Sequence, residues 1–177
     1  MRRISVIGSA LAIAMIMTVS CGSKKHEESH GHDHAKETAH NAVKGEALSF
    51  KEVGSKEIFQ SYLSVKNALV KGDASAASEG AGALLAIQGF EGQDAAMKIQ
   101  ETSDLAAQRE AFADLSASVE SSLTGQVTSG AVYKQFCPMA FEGKGGYWLS
   151  DQEAIKNPYY GDKMLTCGRV DHVMGAQ

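Results

Sequence analysis

From about Phe50 the apolar residues Ile58, Phe59, Tyr62, Leu63, Leu69 and Val70 recur at three- and four-residue intervals, while charged Lys56, Glu57, Lys66 and Lys71 fall mostly between them. That is the period of an amphipathic helix. "KGD" then supplies a stop and a start: Gly72 suits the left-handed position after a helix, and Asp73 can cap the next one. The second helix, about 74–88, is rich in Ala, Gly and Ser, so its backbone can approach a neighbour closely. After "GFEGQ" the pattern predicts a short helix around 94–100. A long one follows over 103–123, with Leu105, Phe112, Leu115, Val119 and Leu123 on its apolar stripe. No proline precedes Pro138 to interrupt these helices. The expected fold class is all-α: an up-and-down helical bundle with a small irregular or β-hairpin C-terminal segment.

That last segment reads differently. Beyond Gly125 lie Tyr133, Phe136, Phe141, Tyr147, Trp148, Tyr159 and Tyr160, seven of the twelve aromatic residues, and both prolines. "EGKGG" is a turn whose flanks can pair as short strands or remain extended loop. "SDQE" at 150–153 has capping-box spacing and predicts a short helix, ended near Asn157 by Pro158. "NPYYG" then turns the chain back, bringing Met164 and Cys167 toward Cys137 and Met139.

The N-terminal part has no such periodicity. Arg2 and Arg3 precede an apolar run from Ile4 to Met17 and then "TVSC", which predicts a secretory signal peptide over residues 1–20 and lipidation of Cys21. The run of about 14 residues is short for a helix crossing about 30 Å of hydrocarbon. Residues 21–49 hold few large apolar side chains and read as a flexible, lipid-anchored tether. It carries His26, His30, His32, His34 and His40, five of the six histidines. Such imidazoles can share Zn(II), Cu(II) or Ni(II) weakly, with Glu27 and Asp33 as oxygen donors. The folded domain is expected over 50–177.

Charge narrows the partners. Without residues 1–20 the 17 basic and 21 acidic side chains become 15 and 21, a net of −6. Overall charge therefore draws the chain to neither nucleic acid nor anionic lipid; a membrane partner enters through the lipid.

Cys137, Met139, Met164 and Cys167 are soft donors that select Cu(I) over hard cations. Cys137 and Met139 flank the stiff Pro138, and Met164 and Cys167 share a face if their segment is a helical turn. Three readings stay open: a metal site, a Cys137–Cys167 disulfide closing a loop of about 30 residues, or reduced thiols and core methionines. His172 and Met174 can add ligands or belong to a frayed tail. With no GxSxG, HExxH or CxxC and no partner for His172, an enzyme is not expected.

"YKQFCPMAFEGKGGYWLSDQEAIKNPYYGDKMLTCGRV", with "YLSVKNALVKGD" and "QREAFADLSASV" before it, resembles an uncharacterised bacterial domain family common in Bacteroidetes over roughly residues 55–170. The family occurs alone in small lipoproteins and fused to the C-terminus of CusB-type adaptors of heavy-metal efflux pumps. The resemblance places its Cys-Pro-Met on Cys137, Pro138 and Met139, and its Met-Leu-x-Cys-Gly on Met164, Leu165, Cys167 and Gly168. It implies a cell-envelope lipoprotein, outer-membrane anchored and periplasmic or surface-facing, that handles Cu(I) as a metallochaperone or efflux accessory. The alternative is a disulfide-stapled module that docks on an efflux adaptor without metal.

Overall fold

The helical period gives α1 (Val53–Lys71), α2 (Ala74–Leu85), α3 (Gln93–Gln100) and α4 (Leu105–Leu123). The structure, a computed structural model, describes residues 46–175, so the signal segment, Cys21 and the tether histidines His26, His30, His32, His34 and His40 lie outside the described residues. Gly72 ends α1 at φ 72°, and the Asp73 carboxylate accepts the Ala76 N–H at 3.0 Å to begin α2. Close approach follows from the small residues: a Cβ on Gly80 would lie 3.0 Å from the Val65 backbone nitrogen in α1. Asp104 caps α4 by accepting the Ala106 N–H at 2.8 Å. No helix among the described residues is long and apolar enough to cross a membrane.

The expectation of an all-α bundle is wrong. The described chain is about half helical and also holds two antiparallel sheets. The smaller pairs β1 (Ser49–Phe50) with β2 (Val127–Ser129). The larger has β3 (Ala131–Cys137) at its centre, with β4 (Gly146–Ser150) and β5 (Arg169–Gly175) on its edges. The protein is therefore a mixed α/β fold. Long-range pairing made strands of segments whose local pattern was ambiguous, since β3 is covered along much of its length and shows no clean alternation of buried and exposed residues.

Two further expectations fail for the same reason. "SDQE" forms no helix: Ser150 pairs with Tyr133 as the last residue of β4, and its Oγ accepts the Gln152 N–H at 3.0 Å. The Gln135 amide takes the Gln152 and Glu153 carbonyls, each at 2.9 Å. Nor is the tail frayed through His172 and Met174, which lie opposite Lys134 and Val132 in β5.

An aromatic chain ties the helices to the sheet. Phe59 stacks on Tyr62 and Tyr62 on Phe112, with ring centroids 6.3 and 5.1 Å apart. Phe112 meets the edge of Tyr159 at 6.0 Å, and Tyr159 meets Trp148 at 5.9 Å. Such pairs each add about 0.5–1.5 kcal/mol beyond area burial. The outward backbone of β4 is also occupied. The Tyr62 hydroxyl accepts the Leu149 N–H at 2.9 Å, and the Tyr159 hydroxyl donates to the Tyr147 carbonyl.

Candidate functional site

Cys137 is the last residue of β3, paired with Gly146 of β4 and fully buried. Cys167 stands at the end of the returning loop, two residues before β5, and is half-buried. Their Sγ atoms are 3.4 Å apart as free thiols. The hydrogen bond with Cys137 holds the Cys167 thiol above its ordinary range, with burial and the charge of Cys137 acting in the same direction.

The loop that delivers Cys167 is built around Asn157, which is fully buried. Its Nδ2 donates to the Cys167 carbonyl at 2.8 Å, and its Oδ1 accepts the N–H groups of Tyr159 at 2.8 Å and Tyr160 at 3.3 Å. Its backbone N–H donates to the Leu165 carbonyl and its carbonyl accepts the Gly161 N–H. A 3-10 turn, Gly161–Met164, follows, and the Cys167 N–H donates to the Met164 carbonyl at 3.0 Å. Gly168 completes the return at φ 150°. A Cβ there would lie 2.9 Å from both the Phe136 carbonyl and the Trp148 ring, so only glycine lets the chain pass this close beside Cys137.

The two methionines lie on these same segments, Met139 two residues after Cys137 and Met164 three before Cys167. Met139 is 52% exposed, and its carbonyl accepts the Tyr160 hydroxyl at 2.6 Å, which ties the Cys-Pro-Met segment to the returning loop. Met164 is half-buried as the last residue of the 3-10 turn. Phe141 and Glu142 follow at φ 53° and 59°, left-handed values that cost non-glycine residues free energy. Arg109 braces the loop from the helical side, donating to the Pro158 carbonyl at 2.9 Å and to the Leu69 carbonyl at 3.1 Å.

Sequence spacing thus singled out the cysteine pair, and the structure brings the two thiols together. It missed Asn157, for which only the NPYY turn was a signal, and Gly168 entered only through the resemblance. His172 is exposed, five residues along from Cys167. Among the described residues, no three side chains of the His, Cys, Asp and Glu types converge. A cleft of about 300 Å³ between α4 and β4, lined by Ser116, Glu120, Lys134 and Tyr147 among others, includes neither cysteine.

Neither curated proteins nor solved structures give a match to the chain. Residues 58–130 match the family described as "Protein of unknown function (DUF3347)", a stretch that runs from Ile58 in α1 through β2 and stops short of Cys137.

Proposed function

We propose that this chain is an extracytoplasmic lipoprotein whose folded domain takes up a soft copper-group ion, Cu(I) first, as a metallochaperone or accessory to metal efflux. The observation that carries the reading is the 3.4 Å separation of Cys137 Sγ and Cys167 Sγ on two segments that are themselves tied together. With metal–sulfur bonds of about 2.3 Å, as for zinc thiolates, sulfurs that far apart subtend roughly 95° at one ion. A modest opening of the loop reaches the wider angles that low-coordinate ions adopt. Zn(II) wants four donors, and the described residues offer two thiols with no third His, Cys, Asp or Glu beside them. Soft Cu(I) accepts thiolate and thioether together. Met139 and Met164 are the thioethers on the two segments, and the lipid on Cys21 and the weak tether histidines His26, His30, His32, His34 and His40 belong to the same reading. Its partner is a membrane and, by the resemblance of its sequence, a CusB-type adaptor.

The alternative, a disulfide-stapled interaction module, draws on the same sulfur separation. Anaerobic Cu(I) titration of the full chain against a chromophoric chelator separates the two. One tightly held ion, lost in Cys137→Ser and Cys167→Ser and weakened in Met164→Leu, is expected. Chelator competition unchanged by both serine variants after full reduction would discard the copper reading.

A further inference from the structure

The two thiols differ in how firmly they are held. Cys137 sits in the central strand, with β4 and β5 on either side, and is fully buried. Cys167 belongs to a loop, is half-buried, and is held through its own carbonyl and N–H. One thiol is fixed in a paired strand, and the other, the more exposed of the two, lies on a segment without strand pairing. Joining them needs the sulfurs to close from 3.4 Å to about 2.05 Å. Loop 157–167 can supply that movement while β3 stays in place.

We propose that Cys137 and Cys167 form a reversible disulfide, so that the site is gated by redox state and holds its ion only when reduced. The oxidation stands without the copper reading; the gating of binding rests on it. The oxidant is a small disulfide. The Cys167 thiolate, on the accessible side, attacks one sulfur of the external disulfide, forms a mixed disulfide and expels one thiolate. The Cys137 thiolate then attacks Cys167 Sγ and expels the second. Two protein thiols give up two electrons and two protons, and one external disulfide becomes two thiols. The cystine that remains has no thiolate charge to offer a cation, so a bound soft ion loses both of its anionic ligands in the same step.

The test equilibrates the full chain, as Cys21→Ser so that only this pair titrates, in anaerobic buffers of varied glutathione to glutathione-disulfide ratio. Free thiols are then trapped by alkylation and read by mass. The expected result is joint loss of both thiols with a two-hydrogen mass decrease, no retained glutathione, and full recovery on reduction. Cys137→Ser should instead accumulate glutathione on Cys167. Persistent glutathione adducts on the chain with both cysteines, or thiols that survive the most oxidising buffer, would overturn the proposal. Ag(I) binding to each trapped form is the second readout, with at least a tenfold loss expected on oxidation. Equal binding in both forms overturns the gate. A pair that oxidises as described but binds no ion when reduced leaves the reversible disulfide standing and removes the copper reading instead.

Discussion

Asn157 engages both ends of its side chain and both of its backbone groups, and two of those bonds, to the Leu165 and Cys167 carbonyls, close the loop that delivers Cys167. Replacing it with Ala leaves the Cys167 carbonyl and two N–H groups without partners in a buried place. At about 1–3 kcal/mol for an unmet buried polar group, Asn157→Ala is expected to cost about 2–4 kcal/mol in urea unfolding and to lower thiol-dependent ion binding. Asn157→Asp keeps the acceptor for Tyr159 and Tyr160 but loses the donor to Cys167, so it should fall between. Lys66 is a different case. It is buried, with Ser150 Oγ 3.5 Å from its Nζ. Burial holds its pKa below the ordinary 10.5, opposed by Asp151 and reinforced by Lys156. The unfolded chain therefore binds more protons at this position, and the contribution to stability rises with pH from the folded pKa up to the unfolded one. Lys66→Met should stabilise the fold by about 1 kcal/mol at neutral pH and flatten that alkaline rise in thermal unfolding. An unchanged pH profile would show that Lys66 is solvated.

At the scale of elements, helices and strands were legible to different degrees. α1, α2 and α4 are written locally: apolar spacing marks the buried face, and Gly72 and Asp73 fall on the predicted boundary. The strands are written only in their partners. β3 meets β5 across more than thirty residues of sequence, with a register shift between Lys134 and Gln135 that no local period announces. The capping-box pattern at Ser150 gave the wrong element because Gln135 claims the Gln152 and Glu153 carbonyls. Those carbonyls would otherwise have accepted the bonds of a first helical turn. The approach of the two cysteine-bearing segments was legible for a simpler reason, since Pro138 and Pro158 punctuate them. Asn157 was not, because an asparagine before proline reads as a turn residue wherever it occurs. The α1–α2 contact gives a direct test. Gly80→Val places side-chain atoms where a Cβ alone is already 3.0 Å from Val65, and should lower stability by about 1–3 kcal/mol through overpacking. A neutral outcome in chemical unfolding would mean that the helices separate freely.

For the whole molecule, the question is whether the helices that match a known family stand apart from the sheet that does not. The bonds say they do not. Tyr62 in α1 reaches both α4, where its hydroxyl is 2.8 Å from Ser116 Oγ, and β4 through the Leu149 N–H. The Ser116 hydroxyl donates to the Phe112 carbonyl, so the Tyr62 hydroxyl donates to Ser116. Lys134 pairs with Glu120 at 2.8 Å, and Arg109 holds Pro158. Tyr62→Phe orphans the Leu149 N–H and is expected to cost about 1–3 kcal/mol, with one cooperative transition retained in far- and near-ultraviolet circular dichroism. Truncation after Gly130 uncovers Phe112 and removes Val132, Trp148, Leu149 and Tyr159 from the core. Such a chain should lose its cooperative thermal transition. A sharp melt in the truncated chain would make the sheet an appended module.

The tyrosine hydroxyls along β4 carry one more consequence. A strand at the rim of a sheet is ordinarily a template on which another chain can zip. Here the phenol groups of Tyr62 and Tyr159 already occupy outward-facing backbone groups of that rim. At the opposite rim, Asp171 falls where the β3–β5 register slips, putting a charge and an irregularity into β5. Copies of this molecule crowded side by side thus meet blunted rims, which disfavours edge-to-edge pairing of their sheets.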